Sequence, residues 1–377
     1  MKDETIKGFR DFVGEEAEKR AVVREVLRQT FERYGFGPAE TPIVEAEEFV
    51  RGENVDDEAV SEIFKLQDRG KRKLALRYEL TFPLKRIMKN QKLPFKRYSI
   101  GEVFRDEPAT GNRFRQFTQC DVDIIGADAK GEAEILALVN EVLSALKIDF
   151  VIYFNNRKLL NEILEECGIA EKRRWEVLRI IDKLDKKPAS EVRKELKEFG
   201  AEKVFGIITD KKKCQKYPAY AEIRFLEEYA KLYGVKIVFL PSLARGLSYY
   251  NGSVFEIKTK KMRESVGGGG SYMFNGIQST GISFGLERLT SLANLKVLLE
   301  KYLVVSLGQD KEAIALAQKL RSRGKIVSMF YGKPSKALEY ANSYKINNVI
   351  FVGEREVKEK KFKVKNMTTG REAVLIL

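Results

Sequence analysis

The 377-residue sequence predicts an α+β protein: a large, mostly antiparallel sheet domain with a helical insertion, then a small α/β domain. Three observations carry this expectation. Strand-like segments succeed one another between residues 41 and 154 with few helices between them, which favours antiparallel pairing. Residues 157–235 turn helical and highly charged, as in Ala189-Ser190-Glu191-Val192-Arg193-Lys194-Glu195-Leu196-Lys197. From residue 302 onward strands and helices alternate, the pattern of a separate unit with its own sheet.

Residues 15–33 place Val22, Val23, Val26, Leu27, Thr30 and Phe31 at helical spacing, and the turn Tyr34-Gly35-Phe36-Gly37-Pro38 closes that helix. A strand is expected through Thr41-Pro42-Ile43-Val44-Glu45. Residues 63–66, 74–78, 96–104, 114–125 and 150–154 read as short strands, with helices near 79–90 and 131–146. After the insertion, strands resume at 235–239 and 253–258, and Gly281 to Arg288 reads as a strand passing into a helix. The last part predicts strands at 302–307, 325–331 and 349–352, helices at 310–323 and 334–343, and a hairpin around 366–370. The domains are therefore 1–298, with the insertion at about 160–235, and 299–377. An apolar content of 44% suffices for burial on this scale.

Composition removes several kinds of chemistry. The chain has no histidine, and Cys120, Cys167 and Cys214 lie far apart. Ser-His-Asp triads and Cys-His nucleophiles are excluded, and neither a C-x-x-C pair nor a metal site built from His and Cys is expected. Carboxylates, arginines, tyrosines and a hard cation remain. No apolar run reaches the ~18 residues that cross a bilayer, and Met1-Lys2-Asp3-Glu4 opens no signal segment, so a cytoplasmic protein with no membrane partner is expected. Lys and Arg outnumber Asp and Glu 69 to 55. This excess points to a polyanion such as nucleic acid. Residues 296–377 carry 17 Lys/Arg against 8 Asp/Glu, so +9 of the net +14 sits on the last fifth of the chain.

Phe104-Arg105-Asp106-Glu107 ends a predicted strand, and Arg113-Phe114-Arg115-Gln116-Phe117 begins the next. Such a hairpin can aim two guanidinium groups at phosphates and an aromatic face at a base. It can equally be a solvated basic turn. Arg288, entering a helix, can stack on an adenine opposite Phe117 or simply face solvent. In Arg245-Gly246-Leu247-Ser248-Tyr249-Tyr250 the tyrosines suit a core as well as a ligand. Gly267-Gly268-Gly269-Gly270-Ser271-Tyr272 suits a flexible loop or a surface of close approach, and it lacks the order of a phosphate-binding P-loop.

Together these segments resemble, in order and spacing, the motifs of class II aminoacyl-tRNA synthetases, and specifically histidyl-tRNA synthetases in the form typical of archaea and eukaryotes. Lys7-Gly8-Phe9-Arg10-Asp11-Phe12 is similar to the family's N-terminal K-G-x-R-D-F. Tyr34 to Ile43 resembles motif 1, which builds the family's dimer interface. Arg77-Tyr78-Glu79-Leu80-Thr81 resembles L-R-Y-[DE]-L-T, and Phe104 to Gly126 resembles motif 2. Arg245 to Tyr250 and Gly269 to Tyr272 resemble the two histidyl-specific stretches, and Gly281 to Arg288 resembles motif 3. The last domain resembles the family's anticodon-binding domain.

The resemblance implies a class II antiparallel-sheet catalytic domain, ATP-dependent ligation of L-histidine to tRNA(His) through an adenylate, Mg²⁺ with the ATP, and a homodimer. It implies that Glu79 pairs with the substrate ammonium, with Leu80, Thr81 and Gln119 beside it. Asp123 and Tyr250 would bond the imidazole nitrogens, with Tyr249 and Tyr272 completing the wall. Arg105 and Arg245 would flank the α-phosphate as catalytic groups and Arg113 the γ-phosphate. Glu107 would face the adenine between Phe117 and Arg288. Ser248, Ser271 and Met273 depart from the family's usual aspartate, arginine and aspartate. A rival resemblance is the synthetase-like regulatory subunit of ATP phosphoribosyltransferase, which generally lacks the last domain.

Overall fold

Helix α1 (Gly14–Arg33) buries Val23, Leu27, Thr30 and Phe31, one stripe of its surface, while its opposite face stays charged. The computed structural model describes residues 3–52, 62–109, 113–244, 249–295 and 299–375. Two compact units divide the chain, residues 1–295 and 296–377.

In the first unit the strands are β1 (Gly37–Pro38), β2 (Val44–Ala46), β3 (Lys65–Gln67), β4 (Lys73–Leu76), β5 (Phe95–Phe104) and β6 (Gln116–Ile125). After these come β7 (Val151–Asn156), β8 (Ile237–Phe239), β9 (Tyr250–Thr259), β10 (Met262–Phe274) and β11 (Ile277–Gly285). Eight of them form one sheet, β1-β5-β6-β11-β10-β9-β7-β8, antiparallel except for the two outermost pairs. β2, β4 and β3 form a small separate sheet.

Alternation along β6 decides the sheet's two faces. Cys120, Val122 and Ile124 enter the main core with α1, the helix Ala129–Ala145 and the insertion helices. Gln119, Asp121 and Asp123 therefore point to the other face, and they are buried there. This places three polar side chains in a row on one face of β6, opposite the apolar Cys120, Val122 and Ile124.

The expected helix at 79–90 is shorter. Residues 79–83 form a turn, followed by a helix at Leu84–Ile87 and a 3₁₀ turn at Met88–Asn90. Pro83 accounts for this, because a proline disfavours helical backbone in the residue before it. The expected strand at 41–45 forms only from Val44. The glycine run is not a loop; it lies inside β10. A Cβ on Gly269 would come within 2.0 Å of the Gly281 carbonyl oxygen, so close backbone approach explains the glycine.

The second unit has the sheet β13 (Ile326–Tyr331), β12 (Lys301–Ser306), β14 (Asn348–Val352), β15 (Lys363–Asn366), β16 (Glu372–Val374), in that order. β12 pairs in parallel with both neighbours. Tyr302 and Val304 pack against the helix Asp310–Ser322, while Leu303 and Val305 pack against the helix Pro334–Ser343. A short helix, Glu354–Glu359, escaped the sequence reading. It has no buried residue, and its single turn and a half carries no apolar period to detect.

Candidate active site

β5, β6, β9, β10 and β11 together with the turn at 79–83 build a polar pocket on the sheet's second face. Thr81, Asp121, Asp123, Tyr249, Tyr250 and Tyr272 line it, with Gly268, Gly269 and Gly281 leaving space. Register explains the arrangement: Gly281 lies opposite Asp123 on β6, and Tyr272 opposite Tyr250 on β9. A Cβ on Gly281 would meet Asp123 Oδ1 at 2.2 Å.

Asp123 is held from two sides. Tyr272 Oη donates to its Oδ1 at 2.5 Å, and Arg97 Nη2 stands 2.5 Å from its Oδ2 as an ion pair. Arg97 is only 1% exposed and also donates from Nη2 to the Leu80 carbonyl at 3.0 Å. Leu80 thus contributes its backbone. Burial still pushes the Asp123 carboxyl upward, while Arg97 and the Tyr272 hydrogen bond pull it back.

Glu79 and Asp121 add two more acids. Burial pushes Glu79 up to about 7, the neighbouring Asp121 adds to this, and Arg105 opposes it. Asp121 is likewise pushed up to about 7 by burial, against the pull of Arg97 and a hydrogen bond from Ser283. Glu79 Oε1 accepts from the Phe82 amide at 3.2 Å, which fixes its carboxyl over the turn. Gln119 Nε2 donates to Ser283 Oγ at 2.8 Å. The Tyr249 and Tyr250 rings meet at a 49° tilt with centroids 4.7 Å apart, and Tyr249 meets Tyr272 edge-on. An acidic pocket of this kind favours a cationic guest.

Arginines gather beside it. The Arg105 guanidinium lies 5.1 Å from the Phe117 ring centroid and donates from Nε to the Tyr78 carbonyl. Arg113 pairs with Glu107 at 3.1 Å. Arg288 is held by a bond from Nη1 to the Ser265 carbonyl at 2.8 Å; burial lowers its proton affinity, as do Arg113 and Arg105, while Glu264 and Glu107 raise it. A cluster in which Arg105 lies against the Phe117 ring and both Arg105 and Arg113 repel Arg288 suits a polyphosphate nucleotide. The N-terminal Gly8 braces this hairpin, its carbonyl accepting from the Arg115 amide at 2.8 Å.

Family models match both units: that of histidyl-tRNA synthetase at residues 8–289, and that of an anticodon binding domain at 301–376. The chain belongs to the histidyl-tRNA synthetase family. It is an enzyme of the class II aminoacyl-tRNA synthetases, for which ATP is a substrate. Histidine–tRNA ligase 2 of Shouchella clausii is 36% identical, over 98% of this chain and 97% of its own. Histidine–tRNA ligase of Methanocaldococcus jannaschii is 33% identical, over 98% and 96%. The histidyl-tRNA synthetase structure from Nostoc sp. PCC 7120 superposes with a TM-score of 0.87 at 25% identity, covering 100% of this chain and 97% of that one. A structure from Bacillus halodurans, described as an ATP phosphoribosyltransferase regulatory subunit/histidyl-tRNA synthetase, shares the fold with a TM-score of 0.78 at 23% identity, covering 93% and 98%.

In this synthetase, Glu79, Thr81, Gln119, Asp123, Tyr249, Tyr250 and Tyr272 converge on the acidic pocket, and Arg105, Glu107, Arg113, Phe117 and Arg288 on the neighbouring cluster. Arg245 and Ser248 lie outside the described residues. Ser271, in contrast, points away from the pocket, toward Glu132 on the helix Ala129–Ala145, to which its hydroxyl donates. Met273 is half exposed. Sequence reasoning missed Arg97, Asp121 and Ser283. Their signal was periodicity: Arg97 shares a face with Ser99 and pairs in register with Asp123, while Asp121 falls between two pocket residues at spacing two.

Proposed function

We propose that this chain charges tRNA(His) in two steps, forming histidyl-adenylate from L-histidine and ATP and then passing the acyl group to the terminal tRNA hydroxyl. The observation that carries the reading is Arg105, which acts on Glu79 and Asp121 of the acidic pocket and belongs at the same time to the arginine cluster. A bound amino acid's ammonium would neutralise Glu79, and its carboxylate would emerge beside Arg105, where the α-phosphate would lie. That carboxylate is ionised near pH ~7 and needs no base. Catalysis then consists of positioning and of stabilising charge on the phosphoryl oxygens.

Asp123 and Tyr250 would receive the imidazole, with Tyr249 and Tyr272 as the wall. Phe117 and Arg288 would hold the adenine, Glu107 would face it, Arg113 would meet the γ-phosphate, and Arg245 would join Arg105 as a catalytic group. Magnesium would arrive with the ATP: among the described residues no cluster of three acidic or Cys ligands could hold it alone, and a phosphate-bound Mg²⁺ requires only one or two protein carboxylates. The unit with the larger net positive charge, residues 296–377, would read the anticodon, motif 1 would build a homodimer, and the enzyme would work in the cytoplasm. No helix among the described residues is long and apolar enough to cross a membrane.

ATP–pyrophosphate exchange with each standard amino acid tests the reading. Stimulation by histidine alone is expected; stimulation by another amino acid, or by none, overturns it. The alternative raised by the sequence, a regulatory subunit of ATP phosphoribosyltransferase, predicts no exchange and no tRNA binding.

A further inference from the structure

Asp121 has no role in the two-step reading, yet it is 3% exposed, lines the pocket, and leaves Oδ1 without a hydrogen-bond partner. Its second contact is specific: Ser283 on β11 hydrogen-bonds to it. The same Ser283 Oγ accepts from Gln119 Nε2 at 2.8 Å. Gln119 is 8% exposed, and its Oε1 has no hydrogen-bond partner.

Proton counting fixes the direction of this chain. Above about 7, the value to which burial raises it, the Asp121 carboxyl is ionised and only accepts, so there the single Ser283 proton must go to Asp121. The serine oxygen is then left as an acceptor, and the Gln119 amide must turn its NH₂ toward it. Turning the amide over would set Oε1 against an oxygen with no proton left to give, two acceptors in contact in a buried site. The Gln119 carbonyl oxygen is therefore forced to stay free. Asp121 itself faces Arg97 on β5, Arg105 just past its end, Glu79 on the turn, and Asp123 on its own strand, so its charge is partly balanced where it stands.

We propose that Asp121 and Ser283 are positioning residues that lock the Gln119 amide with its oxygen presented to the substrate's α-ammonium, making the site select for an amine. The inference rests on the histidine reading above. It adds that the preference for an α-amino group is set by two residues that need not touch the ligand.

Equilibrium binding at pH ~8, where Asp121 is ionised, of L-histidine and of 3-(imidazol-4-yl)propionate, which lacks the α-amino group, tests this on the full chain. Asp121→Asn and Ser283→Ala should each weaken histidine by about 10- to 100-fold, the size of one hydrogen bond to a charged group. The propionate should bind each variant as it binds the unaltered enzyme, and Ser283→Thr, which keeps the hydroxyl, should retain histidine affinity. Equal weakening of both ligands would reduce the pair to a structural role and overturn the proposal, as would unchanged histidine affinity in Ser283→Ala. Failure of the unaltered enzyme to bind histidine would instead overturn the function reading.

Discussion

Arg97 and Asp123 form an ion pair at 2.5 Å across the β5–β6 ladder, with the arginine 1% and the aspartate 4% exposed. Arg97 is among the largest fully buried side chains, and its Nε and Nη1 have no hydrogen-bond partner. Its place is explained by charge: it opposes the acids of the pocket floor. Removing one member of a buried pair leaves the other uncompensated, which costs about 3–5 kcal/mol. Arg97→Met should lose stability on that scale in urea unfolding, and Arg97→Met with Asp123→Asn should recover most of it. A double variant no more stable than the single one would show that the arginine acts through packing instead.

Gly281 leaves no room for a side chain, since a Cβ there would meet Asp123 Oδ1 at 2.2 Å and the Val122 carbonyl oxygen at 2.9 Å. Gly281→Ala should displace the Asp123 carboxylate and raise KM for histidine at least about tenfold, the loss of one charge-assisted contact. KM for ATP should hardly change.

Glu79 couples stability to pH with an inverted sign. Burial raises its carboxyl from 4.5 to about 7, so between those values the folded protein holds a proton that the unfolded chain has released. Stability attributable to Glu79 is therefore greatest below about 4.5, falls as pH rises, and levels off above about 7. Glu79→Gln should be more stable than the unaltered enzyme at pH ~8 by about 1–3 kcal/mol, with the gap closing toward pH ~4.5. Denaturant unfolding at both ends checks this. The same variant should lose histidine-dependent exchange.

Phe117 offers its ring to the arginine cluster. Base–aromatic stacking contributes about 1–3 kcal/mol, so Phe117→Ala should raise KM for ATP roughly 5- to 100-fold while leaving histidine binding near its original value. Exchange kinetics with each substrate varied in turn would separate the two.

Residues 296–377 carry 17 Lys/Arg against 8 Asp/Glu. If about five phosphates of the tRNA are neutralised, affinity should fall on the order of 10²- to 10³-fold between 50 and 200 mM salt. Filter binding across that range measures the slope, and a flat response would remove the basic unit from the recognition of tRNA.

Motif order made much of the site legible before any fold was known. Glu79, Gln119, Asp123 and Tyr250 were readable because their spacing resembles one family's, whereas each alone suits a core or a solvated surface. Asp121 was overlooked although its spacing of two from Gln119 and Asp123 puts it on their face of the strand, because the family resemblance carried no role to it. Ser283 was overlooked because its partner is 162 positions away in sequence. The glycines of β10 stayed ambiguous until Gly281 was seen to press against Gly269.

The sequence by itself determined the α+β class, the change of pattern near residue 300, and which residue types remain for chemistry in a chain without histidine. These depend on periodicity, composition and local backbone preference, all of which are properties of neighbours in the chain. Tertiary structure decided that Arg97 balances the pocket's acids, that Tyr272 donates to Asp123, and that the Gln119 oxygen is left free. Each of these depends on desolvation and on hydrogen-bond direction between strands far apart in sequence, and both exist only once the sheet has formed.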